Sequence, residues 1–595
     1  MILRAILLFS VLTVVATWPQ AIRFSSIPDN VDAYFSLWRL GWIAHQLPSD
    51  PRHLFHANIF HPEQYTLAYS DAILVEGAAG MPFIRAGVPI VYVYNALVLG
   101  SFVAAGLGMF LLVRRLTGAA LPATLAGLVF AFTPYRFDHY YHLELLWAAW
   151  MPLAFWMAHR TIESGRLRDG LGVGAFVALQ ILSSIYYGVF LCTALIVFVI
   201  PLLAGASAAL RRRALVALAA GALLASAAVA PYMLPYRHTR AAIGERGGNE
   251  ALLYGAGPRH YLAAMPENLL AGRLLGPLGR HEKRLFPGFI AIALGVLALW
   301  PPVSRTTIAY AVVLAIAINL SFGPRGLGYD WLRDLTVVYR GLRAPARFGQ
   351  VALLAFAVLA ALGCVRLRTW LTERGHRADA IVATLVVLAF VEYLVRPLTL
   401  TPVPTTAPPA YEWLRAQPPG VIAELPMPTK SNAPLHEGRF QFLSTFHWLP
   451  MVNGYSGNWT DAHVRRLEEF KGFPGEASIA ALAAAGVSYV VVHERHYGRE
   501  QYRQILDQLQ GRAQVRQLAR FDHDGFEVSI YSLLPSTFSL FPFPFQSTPG
   551  IPGGALTWDG GSGTHPPGRR YRCWTGRVYS RHGSYGAGGG TALVA

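Results

Sequence analysis

The sequence predicts an all-α polytopic membrane domain of about eleven transmembrane helices, followed by a small extracytoplasmic α/β domain. Three observations carry this expectation. The 595 residues are 54% hydrophobic and only 14% charged, with a mean hydropathy of +0.37. A soluble domain carries about 25% charged residues, so the deficit calls for an apolar solvent. Apolar runs of about 20 residues, the length that crosses a bilayer, recur along the first two thirds of the chain. Beyond Pro397 the long runs stop, and short strand-like and helix-like patterns alternate.

The formal charge of +17 does not point to nucleic acid. Much of it sits in short Arg-rich links between apolar runs, as at Arg114-Arg115 and Arg211-Arg212-Arg213, which is a membrane-topology pattern. Cys192, Cys364 and Cys573 are too far apart for a metal site or a disulfide framework. The first apolar segment, Leu3 to Ala21, carries Arg4 but no small-x-small site before Trp18-Pro19. It reads as a retained first helix and not as a cleaved signal.

Runs that qualify as spans lie near 3–22, 90–113, 119–135, 144–160, 171–186, 188–204, 213–234, 285–302, 306–322, 347–364 and 379–396. Ile73 to Ala86 is apolar but holds Glu76, Gly77 and Gly80, which suits a re-entrant or interfacial piece. Alternate short links hold Arg114 and Arg115, then Arg160, Arg166 and Arg168, then Arg211 to Arg213, Arg305, and Arg366 to Arg377. The positive-inside rule assigns that set and the N-terminus to the cytoplasm. The membrane domain then covers 1–398, with a first outer segment at 23–88. Further outer segments are expected near 136–143, 237–284 and 323–346.

A Pro/Thr linker spans 399–410, and 411–534 reads as the α/β domain. Residues 535–595 turn rich in Gly, Ser, Pro and Arg without periodicity and are expected to be disordered.

The ionisable groups gather in one outer layer. Asp29 and Asp32 follow the first span, and Asp32 opens an aromatic run through Trp42 that suits an interfacial helix. An acid at a helix start also answers the helix dipole, so a structural role competes with a chemical one. His45, Asn58, His61 and Asp71 lie in the same segment, where an ordinary loop role competes equally. The second outer link packs Arg136, Asp138, His139, His142 and Glu144 into nine positions. Ionisable groups at a span boundary are expensive, although snorkelling at a helix end is the plainer reading. Arg340, Arg343 and Arg347 stand before another span. They suit a forked clamp on a lipid-linked phosphate, or simple head-group contact. A transferase with a lipid-phosphate sugar donor needs this combination: a carboxylate as general base, and cations for the departing phosphate.

These features resemble the GT-C superfamily of integral-membrane glycosyltransferases, which includes the protein O-mannosyltransferases and the lipid A aminoarabinose transferases. The carrying residues are Asp32 before the Trp38–Leu47 stretch WRLGWIAHQL, then Ala57–Pro62 and Thr66–Asp71 (ANIFHP, TLAYSD). His139 to Glu144 and Gly341 to Phe348 (GLRAPARF) also match an uncharacterised bacterial group of this type, over roughly residues 1–535. The resemblance implies an inverting transferase in the bacterial plasma membrane, using a polyprenyl-phosphate-linked sugar. It implies Asp32 as base, with Asp29 competing through its Pro-Asp placement. His45, Asp71, Arg136, His139, His142, Glu144, Arg340, Arg343 and Arg347 are then expected to contact substrate. Neither Asp is followed by Glu, unlike the Asp-Glu of the O-mannosyltransferases. Some members use a divalent metal and others do not. No cofactor or metal is assigned here, although Asp32, Asp71 and His142 offer ligand atoms.

The expected partners are the lipid-linked donor, membrane lipids, and a glycan, lipid or protein acceptor, but no nucleic acid. A transporter or lipid-linked-glycan flippase is the principal alternative, and would favour repeated halves and charges at mid-span. A third reading is a non-catalytic assembly protein. Its aromatic stretch His436 to Asn458 would bind sugar by stacking, with half-buried core as the plainer account.

Overall fold

A computed structural model describes residues 1–244, 248–428 and 435–533. Met1 to Ser536 forms one compact unit. The second unit, from Thr537, and with it the tail expected to be disordered, lies outside the described residues.

The chain is predominantly helical. Among the described residues four helices are long and apolar enough to cross a membrane: Ile90–Thr117, Ile185–Leu203, Ala208–Ile243 and Pro345–Glu373. Ile2–Ala16, Phe289–Ala298 and Arg305–Ser321 are apolar but shorter. The expected count of about eleven is therefore not reached by length and composition. Local chemistry explains the shortening. The run near 119–135 gives Ala120–Phe132, ended by Thr133 before Pro134, because the residue before a proline disfavours helical backbone. The run near 144–160 is interrupted after Leu146 and resumes at Trp150–Ser164, with Pro152 in its first turn.

One helix runs longer than its apolar stretch. Ala208–Ile243 has 36 residues, about 54 Å at 1.5 Å per residue, against a hydrocarbon thickness of about 30 Å. Its C-terminal turns extend past the apolar stretch. They carry Tyr236, Arg237 and Arg240 past the expected end of the span near 234.

The helix Val31–Ser49 departs from expectation in another way. Every residue from Ala33 to Ala44 is buried, so it is enclosed by protein rather than lying along the lipid interface. Leu74–Arg85 closes one side, where a Cβ on Gly77 would fall 2.3 Å from Ile43 Cδ1. Leu435–Leu443 closes another, with Gly438 against Val31 and Tyr34.

The C-terminal part holds a four-stranded sheet. Val421–Leu425 runs parallel to Val487–His493. That strand pairs antiparallel with Phe526–Leu533, whose other neighbour is Val515–His523. Helices Asp461–Phe470 and Glu476–Ala484 lie in the connection between the parallel pair. Val515–His523, absent from the sequence reading, is an edge strand exposed over much of its length. Within 399–410, Thr401 and Pro402 pair with Ile27 and Ser26. Phe60 and His61 donate backbone hydrogen bonds to the carbonyls of Asn453 and Met451. The α/β part is thus stitched to the first outer segment.

Contacts sort the charges to two ends of the bundle. At one end Arg115 pairs with Glu163, Arg160 with Asp169 at 2.8 Å, and Arg305 with the Gly205 carbonyl at 3.1 Å. At the other end lie Asp32, His142, Glu282 and Arg347.

Candidate functional site

The second end holds a cavity of about 720 Å³, built by six parts of the chain. The first outer segment supplies Asp32 and Asp71, the link after Pro134 supplies His142 and Glu144, and the projecting turns of Ala208–Ile243 supply Tyr236, Arg237 and Arg240. Arg347 in the first turn of Pro345–Glu373 and Arg343 just before it also line it, Ile185–Leu203 supplies Ile185 and Tyr186, and the α/β part supplies Tyr455 and Asn458.

Local backbone explains how the first two carboxylates are placed. Asn30 caps the helix by accepting from Asp32 N at 2.9 Å. This fixes Asp32 in the first turn, where the dipole favours an anion. Asp71 sits two residues before Ile73, whose φ of 47° is costly for a β-branched residue. The turn is held from both sides. Arg39 Nη1 donates to the Asp71 carbonyl at 2.6 Å, and Ala72 N donates to the Tyr236 hydroxyl at 3.1 Å.

Ionic contacts interlock across the floor. Asp32 accepts the Tyr455 hydroxyl on Oδ1 at 2.9 Å, and its Oδ2 lies 3.3 Å from His142 Nε2. Arg39 Nη2 donates to Glu144 Oε2 at 2.8 Å. Glu282 takes two bonds from Arg347, at 2.9 and 2.5 Å, with His139 Nε2 at 3.6 Å. Burial alone would raise the Asp32 pKa, but His142, Tyr455 and Arg39 outweigh it and hold it down at about 2. Burial opposes a charge on His142 as well, yet Asp32 and Glu144 raise its pKa above the ordinary imidazole value. Glu144 and Glu282 resist burial likewise and stay below the usual carboxylate range, through Arg39 and Arg347 respectively. Asp71 is the exception. Burial and the Glu144 charge push it up to about 6, although it accepts Ile185 N at 3.2 Å and Ser184 Oγ at 3.3 Å.

The cavity is chemically divided. Asp32, Asp71, Glu144 and His142 supply its carboxylates and imidazole, Arg237, Arg240, Arg343 and Arg347 its four arginines, and Ala230, Met233, Leu234, Ile243, Val337 and Val338 its apolar lining. Leu234, Val337 and Val338 in this apolar lining are exposed and not packed against protein.

Of the residues singled out from sequence, Asp32, Asp71, His142, Glu144, Arg343 and Arg347 line this cavity. His139 stands behind the floor, its Nδ1 3.3 Å from His142 Nδ1. Four others lie elsewhere. Asp29 pairs with Arg439 at 3.1 Å on the α/β side, and His45 stacks on Trp448 with centroids 4.4 Å apart. Arg136 is buried over the Phe102 ring at 4.7 Å and donates to Ser101 Oγ at 3.4 Å. Arg340 donates to the carbonyls of Arg333 and Asp334, each at 3.0 Å.

Arg237, Arg240 and Tyr455 line the cavity and were not found from sequence. The two arginines follow an apolar run that seemed to end before them. Tyr455 lay in the aromatic stretch read as half-buried core, much of which it is: Glu437, Gln441 and Asn453 there are fully buried.

Among the described residues, His139, His142 and His281 bring one ring nitrogen each within 4.8 Å of one another. Three imidazoles with Glu282 beside them suit a borderline divalent cation. The sequence-derived set is different: Asp32 reaches His142, but Asp71 turns to the N-terminus of Ile185–Leu203. Such a cation would act as a Lewis acid beside the Asp32–His142 pair.

No protein-family model matches this chain, and no curated protein matches its sequence. Among solved structures it is similar to the crystal structure of ArnT from Cupriavidus metallidurans bound to undecaprenyl phosphate. The identity is 12% and the TM-score 0.45, covering 88% of this chain and 97% of that one. Likeness of that degree leaves the functional reading to the site's own geometry.

Proposed function

We propose that this multi-pass membrane protein transfers a sugar from a polyprenyl-phosphate-linked donor to an acceptor on the extracytoplasmic side. The observation that carries the reading is the divided cavity. A lipid-linked phosphate sugar has an isoprenoid tail, an anionic link and a polar head. The cavity lining combines exposed apolar side chains, four arginines and a set of carboxylates. The arginines stabilise the phosphate as it departs. The floor receives the sugar and the acceptor hydroxyl.

Asp32 is the general base in this reading. It faces the cavity, and His142 and Tyr455 fix its orientation. A pKa near 2 keeps it ionised but makes it a weak base. An anionic phosphate entering the same cavity raises it, since like charges disfavour ionisation. Asp71 caps another helix, and Asp29 faces Arg439 outside the cavity. The acceptor oxygen attacks the anomeric carbon, its proton passes to Asp32, and the carbon–oxygen bond to phosphate breaks, with the electron pair leaving on the phosphate.

The test is transfer from a polyprenyl-phosphate sugar by purified variants. Asp32→Asn is expected to lose about 10²–10⁴-fold in rate while remaining folded, and Asp29→Asn to keep its activity. Full activity in Asp32→Asn removes that residue as base.

A further inference from the structure

The opposite end of the bundle carries a second groove, of about 440 Å³, which the transferase reading does not use. It is lined by Gly165, Leu167, Ala209, Arg212, Arg213 and Val216, with Ala217 at its base. It lies where the loop after Trp150–Ser164 meets the first turns of Ala208–Ile243. Gly165 adopts φ +63°, and a Cβ there would fall 2.8 Å from Arg213 Cβ, so glycine permits this approach.

Two properties distinguish this groove from an ordinary set of topology-setting charges. The first is that its arginines lack acidic partners. The nearby carboxylates are already engaged, Glu163 by Arg115 and Asp169 by Arg160. Among the described residues no carboxylate pairs with Arg212 or Arg213. The second is the apolar wall below them: Leu167 is 53% and Val216 59% exposed, on helices that run into the apolar bundle. Two forked cations above an exposed apolar wall match a phosphate head group with an acyl chain beneath it.

We infer that this groove is a binding site for one anionic glycerophospholipid of the bilayer. Its phosphate meets Arg212 and Arg213, and its first chain segment lies along Leu167 and Val216. The site is independent of the transferase reading, because it shares no residue with the outer cavity.

The test is native mass spectrometry of the full chain, released from vesicles of equal phosphatidylglycerol and phosphatidylcholine. The wild type is expected to retain one phosphatidylglycerol in preference to phosphatidylcholine. The double variant Arg212→Gln, Arg213→Gln is expected to reduce that retention by about tenfold or more. Arg168→Gln, an exposed arginine at the same end but outside the groove, is expected to leave it unchanged. Ala209→Trp keeps every charge but fills the groove, and is expected to lose the lipid as well. Equal retention of the two lipids by the wild type overturns the inference. So does undiminished phosphatidylglycerol in the double variant or in Ala209→Trp, or an equal loss in Arg168→Gln.

Discussion

The two ends of the helical bundle handle charge in opposite ways. At the cavity end Arg347 and Glu282 are each 6% exposed and engaged with one another, while Arg115 and Glu163 at the other end are 36% and 54% exposed. Outer charges are enclosed by protein and interlocked through Arg39, Glu144, Asp32 and His142. At the opposite end Arg115–Glu163 is open to solvent, Arg160–Asp169 is a single pair with only its aspartate enclosed, and among the described residues Arg212 and Arg213 have no acidic partner. An enclosed ionic network is costly to build, and it fixes geometry. Exposed pairs cost little and fix little. In the transferase reading the contrast puts the chemistry at the enclosed end.

Glu282→Gln is the most direct way to break this contrast. It leaves Arg347 charged in a buried site, and about 3–5 kcal/mol of stability is expected to be lost. Thermal unfolding in detergent measures it, and a loss below about 1 kcal/mol would place the pair among ordinary surface contacts. Next is Tyr455→Phe, which removes the hydroxyl bond to Asp32. A charge-assisted bond is worth about 1.5–3 kcal/mol, so transfer is expected to slow by about tenfold or more, with the fold retained. An unchanged rate would remove Tyr455 from the site.

A smaller effect is expected from Asp71. Its pKa in the folded chain, about 6, lies above the ordinary 3.8. The folded state therefore holds the proton more tightly, and stability falls as pH rises from about 4 to 6. Asp71→Asn lacks that dependence, so its melting temperature is expected to gain on the wild type across this window. Parallel curves for the two proteins would show that Asp71 does not titrate there. Smallest of all is Arg115→Ala at the opposite end, expected to change stability by less than about 1 kcal/mol. A larger loss would mean that this end too depends on its ion pairs.

The gathering of these groups at one end was legible in the sequence because link charges and apolar runs are written locally. Arg-rich links and apolar runs assign Asp32, His142, Glu144 and Arg343 to one side without knowledge of their contacts. The partners were not legible. Glu282 and Arg347 are 65 positions apart, and Tyr455 and Asp32 are 423 apart. No local pattern encodes such pairings. Arg340, Arg343 and Arg347 looked equivalent along the chain, yet one meets backbone carbonyls, one faces the cavity and one is neutralised by Glu282. Nor does hydropathy reveal that the Ala33–Ala44 stretch of Val31–Ser49 is buried, since an aromatic interfacial helix and a buried helix share composition. The overrun of Ala208–Ile243 past its apolar stretch escaped for the converse reason: helix length follows packing and capping, not apolarity alone.

The central claim is that the divided cavity holds a lipid-linked phosphate with Asp32 facing it. A structure of the full-length protein with a polyprenyl monophosphate tests this most directly. The expected result places the phosphate within hydrogen-bond distance of Arg343 or Arg237, the isoprenoid chain along Leu234 and Val338, and Asp32 across the floor from the phosphate. A phosphate bound outside this cavity, or an isoprenoid chain on a face remote from Leu234, would contradict it.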